Sequence, residues 1–358
     1  MAIPEQNSTE PTIDKGHRER PIKLLTFGLL FLVPASLLLS LSVGTLTIPI
    51  ESVLASIVWL DSSHAINTVV NDIRLPRSIL AGLIGGILAI CGAACQGLFR
   101  NPLADPSLIG VTAGASAGAA VAIYAASNVI FFSGIYGLSL VSLSAFTGGV
   151  IAVTGVYMLA TDKTGTSVAT MLLAGIAITA IAGALTSFIE YFADNENLRR
   201  ISLWRMGGLE GANSIRVNLA IIVSFAVFAL LPRYSSALNA LLLGESEARH
   251  LGISVQAVKL KLIMIIALGV GVSVALAGSI AFVGLVVPHI IRLIVGPNHR
   301  YLLPLSALGG AALLLLADSI ARTLFAPIEL PVGLVTALLG APFFISLLSS
   351  RKHFGMET

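Results

Sequence analysis

Ten apolar stretches run through the chain, at 24–43, 76–98, 107–126, 137–160, 167–193, 215–232, 257–276, 279–295, 302–323 and 331–350. At 1.5 Å of rise per residue, about 20 such residues cross a hydrocarbon core of about 30 Å. Inside that core each backbone N–H and C=O needs a partner within the protein, and a helix supplies one from its own segment. The fold class expected is therefore an all-α polytopic membrane protein with about ten transmembrane helices. The eighth stretch holds Pro288, His289 and Arg292 and is expected to be short or broken. Composition agrees: 56% of the residues are hydrophobic and 11% are charged, against about 25% charged in soluble domains.

Residues 1–22 form a polar tail, 23–352 the membrane domain and 353–358 a second tail. The first run, "LTFGLLFLVPASLLLSLSVG", is long enough to span and many spans follow it, so it reads as an uncleaved helix. Ten spans place both termini on one side. With cytoplasmic termini every lysine falls inside, and the outside holds only Arg74, Arg77, Arg199, Arg200, Arg205, Arg216 and Arg322. Arg74 and Arg77 then stand opposite to the side that ordinary charge anchoring prefers. The net charge of +3 comes without a basic stripe, which excludes nucleic acid as a partner. Cys91 and Cys95 lie four apart in an apolar run and read as free thiols. Gly82 with Gly86, and Gly110 with Gly114 and Gly118, make small-residue ladders suited to tight packing in one bundle.

Between central spans, 233–256 is amphipathic at helical spacing. Gly244 divides it, with Glu245 in the first turn of the second half, where the helix dipole favours an anion. An interfacial helix lying on lipid would carry a basic polar face. Here Glu245, Glu247, Arg249 and His250 make the face acidic and mixed, which suits a soluble partner.

The segment "LLLGESEARHLGI" resembles the coupling helices of permeases of type II ABC importers, the family moving iron–siderophore complexes, haem and cobalamin. "RLPRSILAGLIGGILAICGAACQGLFRNPLADPSLIGVTAGASAGA", "GSIAFVGLVVPHIIRLIVGPNHRYLLPLSALGGAALLLLADSIAR" and "ELPVGLVTALLGAPFFISLL" are similar to three further motifs of that family, in the same order. The resemblance covers about residues 24–350 and implies a cobalamin-importer-permease-like fold. It also implies a homodimer in a bacterial inner membrane, two cytoplasmic ATPase subunits holding ATP and Mg, and a periplasmic substrate-binding protein. Leu243, Gly244, Glu245, Glu247 and Arg249 would couple to the ATPase. Arg74, Arg77 and Arg322 would receive acidic side chains of the binding protein. The chain carries no GxxxxGK[ST] pattern, so P-loop hydrolysis falls to another subunit and no catalytic residue is assigned.

The loop at 193–214, which reads "ADNENLRRISLWRMGGLEGAN" from Ala193 to Asn213, looks most like the haem branch of the family. Arg199 or Arg200 could pair a haem propionate while Trp204 and Met206 offer apolar surface. With Cys91 and Cys95 on span two, these are the expected residues of the substrate pathway. Ferric siderophores are often anionic too, so the same arginines also suit siderophore import, and cobalamin stays open. Haem would be cargo, and no resident cofactor or metal is expected. His289 belongs to a family motif and reads as structural. From another class, an ion-coupled secondary transporter would need ionisable groups deep within spans. Glu190, Asp318 and Arg322 are the nearest candidates, and all lie near span ends.

Overall fold

The computed structural model describes residues 15–58, 63–127, 135–163 and 165–353. In chain order the helices are α1 (Lys15–Ser42), α2 (Ile50–Ile57), α3 (His64–Asn67), α4 (Leu75–Leu98), α5 (Val111–Ser127) and α6 (Ile135–Ala160). There follow α7 (Val168–Phe192), α8 (Asn195–Met206), α9 (Ser214–Leu230), α10 (Ser235–Leu243) and α11 (Glu245–His250). The last four are α12 (Val255–Ala277), α13 (Val283–Val295), α14 (His299–Thr323) and α15 (Val332–His353). A π-helical turn, Thr68–Arg74, joins α3 to α4 without a break. Among the described residues, seven helical stretches are long and apolar enough to cross a membrane, and α5, α13 and α15 add three shorter apolar helices. Together they match the ten expected spans.

The eighth span is the short one, as its composition suggested, and it starts later than expected. Residues 279–282 are not helical, because α12 ends at Gly278 (φ 68°) and Phe282 sits in the left-handed region (φ 68°) before α13 begins. A larger correction concerns 193–214. That stretch contains a helix, α8, rather than a plain loop. The Asp194 side chain accepts the Asn197 N–H at 2.8 Å, Glu196 lies in the first turn and Arg205 in the last, so the ends suit the dipole.

The core is built around α4. Its side chains are buried almost continuously from Leu80 to Leu98, and α1, α9, α12, α13 and α14 pack around it. The outer helices turn apolar residues outward instead: Leu173, Ile176 and Phe188 on α7, Ile222 and Phe225 on α9. That distribution is stable only where the surroundings are themselves apolar.

Glycines set the closest approaches. A Cβ on Gly114 or Gly118 would run into the Gly148 and Ser144 carbonyls, so the α5 ladder packs on α6 within one bundle. On α4 the closest main-chain approaches are at Gly85 and Gly92, against Gly310 and Gly284; Gly86 is tight too, 3.2 Å from the Ala307 carbonyl for an added Cβ, while a Cβ on Gly82 would meet only Leu315, at 3.7 Å. The sequence showed the small-residue texture of α4, but its face was set by what packed against it.

Candidate functional site

Three arrangements bear on function. The first contains the arginines of "RLPR" and "SIAR". Arg74, Arg77 and Arg322 are 5%, 8% and 4% exposed. They sit inside the helix packing, not on an open face. Helix α1 leaves its last four carbonyls without intrahelical partners. Val43 N–H donates to Leu39 O at 2.9 Å, Arg322 Nη2 to Ser40 O at 2.9 Å, Arg74 Nη1 to Leu41 O at 2.7 Å and to Ser42 O at 3.0 Å. Arg74 also donates through Nη2 to Leu46 O. Two guanidinium groups from distant sequence thus cap α1.

Arg77 completes the cluster. It meets the fully buried Asp318 at 3.0 Å and Glu329 at 2.6 Å, and Asp318 also pairs with Arg322 at 3.0 Å. The docking expectation meets this geometry: the three guanidinium groups are engaged within the protein, and presenting them to a partner would mean opening that network. The sequence signal for the pairing was Asp318 four residues before Arg322, a spacing that puts both on one helix face.

The second arrangement is a cavity of about 570 Å³ beside α8. Arg199, Arg200 and Trp204 line it, with both arginines exposed. Arg216 at the start of α9, Glu210 and Glu329 line it too, and sequence reasoning missed them in this role. Only tertiary packing brings 199, 216 and 329 together. Arg205 pairs with Glu190 at 3.0 Å, fastening α8 to the end of α7, and Gly208 N–H donates to Ala277 O at 2.9 Å, fastening the other end of α8 to α12. Met206 is 46% exposed but does not line the cavity. Cys91 and Cys95 are fully buried in the α4 core, so they are removed from the pathway set: a thiol with no accessible surface cannot touch passing cargo. A Cβ on Gly269 would lie 2.9 Å from Cys91 Sγ, which shows how closely α12 approaches it. His289 is buried, with its ring edge-on to Phe343 at 6.3 Å. Among the described residues there is no cluster of three or more His, Cys, Asp or Glu that could hold a metal ion.

The third arrangement is the divided amphipathic segment. It forms α10 and α11 with Gly244 between them at φ 121° and ψ 154°. Leu238, Leu241 and Ala248 face the core, whereas Leu243 and Leu251 are 68% and 64% exposed beside Glu247, Arg249 and His250. The α10–α11 segment thus exposes the leucines that flank α11 together with its charges. Glu245 has a different setting: it pairs at 2.6 Å with Lys259, which is 2% exposed. The backbone at Gly244 is a conformation that costs a residue with a Cβ about 1–3 kcal/mol. Gly244→Leu is therefore expected to tilt α11 against α10 while the chain still inserts and purifies, read as a changed distance between labels at Leu243→Cys and Leu251→Cys. An unaltered distance would mean the angle at 244 does not depend on glycine.

The molecule is thus a helical membrane core with a charged cavity at one end and an amphipathic helix pair at the other. The chain belongs to the FecCD transport family, whose pattern it matches over residues 30–350. It is 42% identical over 339 residues to the hemin transport system permease HmuU of Yersinia pestis, covering 94% of this chain and 98% of that one. It is 43% identical over 284 residues to the cobalamin import permease BtuC of Halobacterium salinarum, covering 79% and 74%. A solved structure described as an inward-facing conformation of a metal-chelate type ABC transporter superposes with a TM-score of 0.79 at 32% identity, over 92% of this chain and 99% of that one. Membership of this family sets aside the ion-coupled secondary transporter.

Proposed function

We propose that the chain is the permease subunit of an ATP-driven importer that takes haem from a periplasmic binding protein into the cytoplasm. It would work as a homodimer in the bacterial inner membrane, with both termini cytoplasmic and ATP hydrolysed on two separate subunits. The observation carrying the haem reading is the cavity beside α8, where two exposed guanidinium groups stand next to an indole. A propionate entering an apolar channel unpaired is costly, so a cation at the entrance lowers the barrier. Exposed ion pairs contribute only about 0–1 kcal/mol, weak enough for the cargo to leave again. The end-to-end match to a hemin permease supports the same choice. Cobalamin is the competing cargo, favoured by the relative of that name.

At the opposite end, exposed Leu243 and Leu251 beside Glu247 and Arg249 offer an ATPase subunit an apolar contact with a charged rim. A docked binding protein would meet the α8 end, where Arg199 and Arg200 carry the accessible positive charge.

The test is haem accumulation in proteoliposomes holding permease and ATPase, with haem-loaded binding protein outside. Arg199→Ala is expected to lower the uptake rate about two- to fivefold, the size of one exposed pair, with the complex still co-purifying. Uptake of cobalamin or a ferric siderophore but not haem by the unaltered complex would replace the cargo and keep the importer.

A further inference from the structure

Lys259 is a large, fully buried side chain, and it carries a charge. It lies one turn into α12, and its ammonium group has two partners from two other parts of the fold. Nζ pairs with Glu245 Oε1 at 2.6 Å and donates to the Thr166 carbonyl at 2.7 Å. Glu245 is the first residue of α11, directly after the bend at Gly244. Thr166 closes the two-residue antiparallel ladder, Thr161–Asp162 against Gly165–Thr166, that joins α6 to α7. It immediately precedes Ser167, the N-cap of α7. Gln256, one turn before Lys259 on the same face, holds the same hairpin by accepting the Thr166 N–H at 2.8 Å. One ammonium therefore bridges the start of α11 to the base of α7. Helix α7 in turn leads to α8 and the charged cavity at the far end.

Burying an ammonium is costly unless partners surround it, so a residue of this kind fixes its partners relative to one another. An apolar side chain of similar length would fill the space without tying α11 to the hairpin. We propose that Lys259 is a positioning residue that makes the α6–α7 hairpin, and with it the base of α7, follow any displacement of the α10–α11 segment. This rests on the reading of that segment as the place where an ATPase subunit pushes. It adds the internal connection by which the push reaches α7 and, through it, α8 and the charged cavity.

The experiment uses the full permease–ATPase complex. Spin labels at Glu247→Cys or, in a second sample, Lys163→Cys are each measured against a reference label at Arg300→Cys, before and after trapping with an ATP analogue. With Lys259 present, both distances are expected to shift. In Lys259→Met only the Glu247 distance should shift, and Lys259→Arg should restore the second. In transport assays Lys259→Met should raise the ATP hydrolysed per haem imported by about fivefold or more, the lower end of a typical coupling energy.

Equal movement of the Lys163 label in Lys259→Met, or an unaltered ratio, overturns the proposal. Should Lys259→Met fail to assemble, Glu245→Gln leaves the Thr166 bond intact and is expected to change both readouts the same way. A Glu245→Gln complex with normal ratio and movement overturns it equally. The label distances need no cargo, so a wrong choice of haem would appear as absent uptake by the unaltered complex and leave this readout standing.

Discussion

Asp318→Ala is expected to be among the most damaging single substitutions in this chain. Asp318 is fully buried on α14 and faces Arg77 on α4 and Arg322 one turn away, each at 3.0 Å. Removing it strands two guanidinium groups, of which Arg77 keeps Glu329 and Arg322 keeps only the carbonyls and hydroxyl at the end of α1. Breaking a buried ion pair from one side costs about 3–5 kcal/mol, because the remaining charge has lost its compensation. That is a large part of a typical folding free energy of about 5–15 kcal/mol. The measurement is the yield of monodisperse protein in mild detergent and its thermal midpoint. Asp318→Asn, which keeps an acceptor oxygen, should fall between the two. A midpoint equal to that of the unaltered protein would mean that these charges do not hold α1, α4 and α14 together.

Gly310→Val should be comparably severe for a steric reason. Gly85 and Gly310 face each other where α4 crosses α14, and a Cβ on either would collide with the carbonyl of the other. The obstruction is main chain, so no rotamer relieves it and the helices must separate. Overpacking a core costs about 1–3 kcal/mol even where side chains can adjust. Here the contact to be opened lies at the centre of the bundle, and the loss should reach the upper end or beyond. Gly82→Val on the same helix is the control. A Cβ there would meet the Leu315 side chain at an ordinary 3.7 Å, so its thermal midpoint should stay within a few degrees. Equal loss from both variants would make helix propensity, not the crossing, the cause.

Both substitutions probe features only partly visible in the chain itself. The ten spans were legible because lipid leaves apolar runs little choice: each backbone group must be paired within its own segment. The division at Gly244 was legible because glycine between two amphipathic half-patterns is a local signal, and the structure keeps it at φ 121°. Helix α8 was written locally too, in Asp194, Glu196 and Arg205, but the polar, arginine-rich texture of 193–214 read as loop.

What tertiary structure decided was which polar groups meet. Charge bias grouped Arg74, Arg77 and Arg322 together away from the lysines, and exposure seemed to follow. Apart from Asp318, four positions before Arg322, their partners lie 28 to 282 positions away, so little that is local announces their burial. The same holds for Lys259, which the charge count only placed inside with the other lysines; the fold alone brings Glu245 and Thr166 to it. Hydrophobic length is a property of one segment and is readable from it. Compensation of a buried charge is a property of pairs, and long-range pairs exist only once the helices have packed.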